Sequence, residues 1–207
     1  MGAAVRHPVA LLLLLSSLLC APSTATAQDP TSMLRFLAGG AVGLGLHESG
    51  HLVMNVVVGS TPGVDGVKFG PIPFFAITHE PVSPAREFAI AAAGFWTQHV
   101  TTEVILARHP NLRDENAPLL KGILAFNVLA SAAYASTAFG RFGPVERDTR
   151  GMADSAGIRE PLIGVWVLAP AVLDATRYYT GDPRWARWLS RAIKIGGVLL
   201  VVRARTD

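Results

Sequence analysis

The chain has 207 residues, of which 50% are hydrophobic and only 16% charged, and its mean hydropathy is +0.37. That composition is too apolar for an ordinary water-soluble domain, and the length suits one helical bundle better than two domains. The sequence pI is near 9.4 but the formal charge is only +3, with basic residues scattered and no stripe interleaved with aromatics, so nucleic acid is excluded as a partner.

The amino terminus reads as an export signal. Arg6 and His7 form a short basic region, Val9 to Leu19 an apolar stretch, and Ala25-Thr26-Ala27 a small-x-small cleavage site before Gln28. Residues 1–27 are therefore expected to be a signal peptide, with an uncleaved anchor helix as the alternative, and 28–207 a single polytopic membrane domain. The single cysteine, Cys20, lies in the leader, so the mature chain has no disulfide and no thiolate ligand.

From Phe36 to Gly59 the strongly polar side chains are His47, Glu48, Ser49, His51 and Asn55. A helix of that length spans about 36 Å, enough for a bilayer core of about 30 Å. Within it, His47-Glu48-Ser49-Gly50-His51 reads His-Glu-x-x-His. Residues i and i+4 lie about 40° apart and about 6 Å along a helix axis, so both imidazoles reach one tetrahedral Zn²⁺. Glu48, beside them, is placed to act as general base on the water that zinc activates. Two histidines and a glutamate at hydrocarbon depth are costly unless the protein uses them. Gly39 and Gly43, with Gly40, Gly45 and Gly50 nearby, give the same helix a small-residue surface for close contact.

Residues 60–85 form a loop with strand character, Val64 to Phe69 and Ile72 to Thr78, bent at Gly70-Pro71. Phe88 to Ala107 is a second apolar segment carrying Gln98, His99, Thr101, Thr102 and Glu103. His99 and Glu103, at i and i+4, read as a structural helix–helix pair rather than as support for a metal site. Ala117 to Phe139 is a third segment, followed by a charged loop, Arg141 to Arg159, that holds Asp148 and Asp154. Pro161 to Tyr179 is a fourth, with Pro170 and Asp174. Trp185 to Val202 begins as an interfacial helix with an aromatic belt, and Ile195 to Val202 enters the bilayer as a short fifth span. The expected fold is an all-α membrane protein, a polytopic bundle of about four to five transmembrane helices with a short β-like loop after the first. Basic residues fall on both sides of that arrangement and leave its orientation open.

An apolar helix with His47-Glu48-Ser49-Gly50-His51, a strand-like loop and further apolar helices resembles the site-2 protease family of intramembrane zinc metalloproteases. The resemblance is firm over residues 36–59 and thins beyond residue 107. It implies that His47 and His51 bind zinc, that Glu48 activates water, and that the strand-like loop presents an extended peptide by edge pairing. The substrates would be membrane proteins or membrane-proximal peptides, and the location the lipid bilayer of a bacterial inner (plasma) membrane.

The family takes its third ligand, an aspartate, from a Leu-Asp-Gly or Asn-Pro-Asp-Gly setting, and neither string occurs here. Leu173-Asp174-Ala175 is the nearest literal match. Asp148, after the third segment, is the other candidate, with Asp154 behind it. A third segment parallel to the first brings its carboxyl end to the side of His51, whereas Asp174 lies towards the wrong end of an antiparallel fourth. Asp148 ranks first on that ground, and its competing role is an exposed partner of Arg147 or Arg150. A non-catalytic zinc-binding membrane protein of the same fold is the alternative function. A di-iron oxygenase is disfavoured, because beyond His47 and His51 the histidines, at 7, 79, 99 and 109, are not paired at ligand spacing.

Overall fold

The computed structural model describes residues 29–69 and 71–206. The expected leader, Cys20 and the turn residue Gly70 lie outside the described residues. Helix α1 (Pro30–Val58) starts where Asp29 accepts a hydrogen bond from the Thr31 amide and Pro30 presets the first turn; it stops at Gly59, whose φ of 73° a glycine adopts without strain. Strands β1 (Pro62–Phe69) and β2 (Ile72–His79) follow as an antiparallel pair, with Val64 opposite Ile77 and Pro62 opposite His79. The rest is helical: α2 (Pro84–Arg108), α3 (Pro118–Gly140), the short α4 (Asp148–Ala156), α5 (Glu160–Thr180) and α6 (Arg184–Thr206). Proline opens α1, α2, α3 and α5, at the first-turn positions where its missing N–H costs nothing.

Small residues set the packing of the motif helix. A Cβ on Gly39 would collide with the Leu119 carbonyl, and one on Gly122 with the Phe36 carbonyl, so the α1 and α3 backbones touch there. Further along, Gly43 meets Phe126 and His47 meets Tyr134. Contacts that advance together along both chains make α1 and α3 parallel. Against α2 the order reverses, since His51 meets Ile90 while His47, one turn earlier, meets Phe95. Apolar cores fill the remaining seams. Phe88, Ala92, Phe95, Met152, Ile163 and Val167 join α2, α4 and α5. At the other end Ile105, Leu106, Leu112, Ile123, Leu124 and Val128 join α2 and α3.

The expectation of four to five transmembrane helices is overturned. Among the described residues one helix, Pro118–Gly140, is long and apolar enough to cross a membrane, and 61% of its apolar window is buried inside the molecule, as a core helix would be. The others fall short for a physical reason. In α1 the glycines and the polar motif dilute the apolar content, and α2, α5 and α6 carry charges that pair with one another. Glu103 bonds Arg177, Arg191 and Lys194, and Asp174 bonds Ser190, Lys194 and Arg177. The bundle therefore has an ionic seam, and the all-α expectation is further amended by the two-stranded sheet.

Helix α6 docks through Ala186, Ser190 and Lys194, a face of i, i+4 spacing, and leaves Trp185, Trp188 and Leu189 exposed. Arg191 lies over the Trp188 ring at 6.0 Å.

Candidate metal centre

His47 and His51 lie one turn apart on α1 and are 2% and 4% exposed. Asp148 arrives from the first turn of α4, where a carboxylate also complements the helix dipole. The loop before it turns at Arg141 (φ 53°) and Gly143 (φ 102°), which folds the chain back towards α1. The three ligand atoms converge. His47 Nε2 is 3.2 Å from Asp148 Oδ2, His51 Nε2 is 3.4 Å from the same oxygen, and the two Nε2 atoms are 3.2 Å apart. These side chains form a group able to hold a metal ion.

The spacing tests which ion suits them. Four ligands at about 2.0–2.1 Å in a tetrahedron have edges of about 3.3–3.4 Å. The three observed separations are close to such edges. Three electron-pair donors at this spacing repel one another unless a cation or a proton lies among them. The ring orientation agrees, because His51 Nδ1 donates to the Ile90 carbonyl at 2.8 Å and so turns its Nε2 inwards. Burial alone would raise the Asp148 carboxyl, but the charge and hydrogen bonds of His51 and His47 outweigh it and hold the group well below the usual carboxylate range. It is an anion ready to ligate.

The other sequence-derived candidates fall elsewhere. Asp174 belongs to the ionic seam near Glu103, which lies nine residues beyond Gly94 on α2, about 14 Å along the axis. Asp154 is exposed and pairs with Arg150 at 3.3 Å. Arg147 does not hold Asp148 in solvent. It grips Glu160 through two bonds of 2.6 Å, with Thr149 adding a third to the same carboxylate at 2.9 Å. Glu48 is half-buried and close enough to interact with the charges of His47, His51 and Asp148. His99 is not one of the three converging side chains and packs edge-on to Trp96, while Glu103 serves the ionic seam.

Sequence reasoning missed Gly94 and Tyr134. A Cβ on Gly94 would sit 2.5 Å from His51 Nε2 and 2.6 Å from His47 Nε2, so the absent side chain is what keeps the space among the ligands open. The signal was the run Ala91-Ala92-Ala93-Gly94, whose small residues gained meaning only when α1 lay against them. Tyr134 stacks on His47, with centroids 5.8 Å apart, and meets Phe95 edge-on. A cavity of about 110 Å³ leads to the centre, lined by His51 and Asp148 together with Ile77, His79, Glu87 and Glu146.

Gly94→Ala is expected to abolish stoichiometric metal binding and leave helix content unchanged, since alanine favours a helix over glycine by about 1 kcal/mol. Elemental analysis and circular dichroism of the purified variant check this, and one full metal equivalent per chain would contradict it. Compared with family models, curated proteins and solved structures, the chain matches none.

Proposed function

We propose that this protein is a membrane-bound zinc metallopeptidase that hydrolyses peptide bonds of membrane or membrane-proximal proteins. The observation that carries the reading is the convergence of His47, His51 and Asp148 near tetrahedral edge lengths with Glu48 beside them. Two histidines and one carboxylate leave a fourth position open, as catalytic zinc sites do. Zinc held there would polarise the scissile carbonyl and acidify the attacking water.

The chain's own residues do the rest. Glu48 takes the proton of the attacking water and passes it to the leaving amine, as a carboxylate beside the two histidine ligands can. Ile90 and Gly94 keep the ligands oriented and uncrowded. The resemblance of the motif helix to the site-2 protease family supports the same chemistry. A membrane setting is supported by α1, which exposes the apolar side chains of Leu34, Leu37, Val42, Val53, Val56 and Val57 along its length.

The test is hydrolysis of β-casein by detergent-purified protein, wild type against Glu48→Gln. Activity should fall by about 10²- to 10⁴-fold, the usual contribution of a general base, with zinc retained. Activity equal in both would reject Glu48 as the base. A wild type that holds zinc and cleaves nothing would leave a non-catalytic zinc protein.

A further inference from the structure

A second histidine–carboxylate pair stands in the wall of the metal cavity. His79, the last residue of β2, has Nε2 3.2 Å from Glu87 Oε2 in the first turn of α2, and its Nδ1 donates to the Glu80 carbonyl at 2.8 Å. His79 is largely buried there, its side chain 12% exposed, and Glu87 about one-third exposed. With one nitrogen against Glu87 and the other against the Glu80 carbonyl, both edges of this ring are engaged in holding its neighbours. It is a tie, not a spare metal ligand.

What it ties is the hairpin. Among the described helices, the two strands bring their backbones close only to α1. Ile77 and His79, two residues apart, point to one face of β2, and that face lines the cavity with His51 and Asp148. Glu87 also lies over α4, its Oε1 3.2 Å from where a Cβ on Gly151 would be. This one contact thus joins the strand, the helix that carries Gly94 and the helix that carries Asp148. Any chain entering the cavity passes a wall whose position this pair sets.

We propose that His79 and Glu87 are positioning residues for the substrate: their side-chain contact pins the carboxyl-terminal end of β2 beside the metal centre, so that an extended peptide is held at a fixed offset from the ion. The proposal rests on the peptidase reading for its kinetic consequence, but its structural half stands without it.

Two measurements test it on the full-length protein. In hydrogen exchange, His79→Ala and Glu87→Ala should each speed exchange of the β2 amides about fivefold or more, the double variant should match the singles, and His79→Gln, which keeps a donor towards Glu87, should restore part of the protection. In β-casein hydrolysis, the same variants should raise KM on the order of fivefold, as expected for one partly buried pair, with kcat and zinc content unchanged. Unchanged exchange, or additive effects of the two substitutions, would overturn the proposal. So would loss of zinc in either alanine variant, which would place the pair in the metal site itself. A wild type without peptidase activity would remove the kinetic arm and the peptidase reading together, and the exchange arm would then decide the tie alone.

Discussion

Replacing Asp148 by alanine is expected to weaken metal binding by at least about 100-fold, whereas Asp174→Asn and Asp154→Ala leave it intact. Even groups that only orient a metal ligand typically change affinity by about 10- to 100-fold, and Asp148 is one of only three donors. Its loss leaves His47 and His51 alone, with their Nε2 atoms 3.2 Å apart and no anion to balance a divalent cation. Glu48 could not replace it without giving up the role of base proposed for it. Titration of metal-stripped protein with Zn²⁺ against a competing chelator measures this directly. Unaltered affinity in Asp148→Ala would remove α4 from the metal centre, and a loss in Asp174→Asn would place the third ligand in the ionic seam instead.

The second large effect is on stability and lies far from the metal. Arg177 is fully buried and donates to Glu103 at 2.5 Å, to Asp182 at 2.7 Å and to Asp174 at 3.4 Å. Arg177→Met keeps much of the volume and leaves three carboxylates short of a partner. Breaking a buried ion pair from one side costs about 3–5 kcal/mol, because a desolvated charge remains uncompensated. For a chain of this size that corresponds to a fall in Tm on the order of 10 °C. Arg191 offers no replacement, since it already engages Glu103 at 2.8 Å. Lys194 must then carry more of the load, and it bonds both Glu103 and Asp174. Arg177→Lys should fall between wild type and Arg177→Met. A Tm within about 2 °C of wild type for Arg177→Met, against the roughly 10 °C expected, would show that the seam is balanced without its central guanidinium.

The legible part of this protein was local. His-Glu-x-x-His at helical spacing puts two imidazoles on one face whatever surrounds them, so the two candidate nitrogen ligands and the adjacent carboxylate could be named from residues 47–51 alone. The hairpin was legible too, because β-favouring residues flank a Gly-Pro break. The third member of the candidate metal group was reached only as a ranking among three aspartates. What singles out Asp148 is the parallel packing of α1 on α3, set by the contacts of Gly39, Gly43 and Gly122, followed by a loop that turns back at Gly143.

The membrane-span expectation failed for the opposite reason. Apolar composition reports how much surface must leave water, and not whether it leaves for lipid or for another helix. Glu103, Asp174, Arg177 and Lys194 looked like interruptions in separate spans, and only their meeting in space turned them into one buried seam. Gly94 marks the same limit at the metal centre. Nothing in its own neighbourhood along the chain distinguishes it from any small residue on a packed helix. Its role exists only because α2 runs antiparallel to α1 and brings that missing side chain against His47 and His51. Periodicity and motif determine which atoms a helix presents. The approach of one helix to another, at the scale of a single methyl group, decides whether those atoms can share an ion.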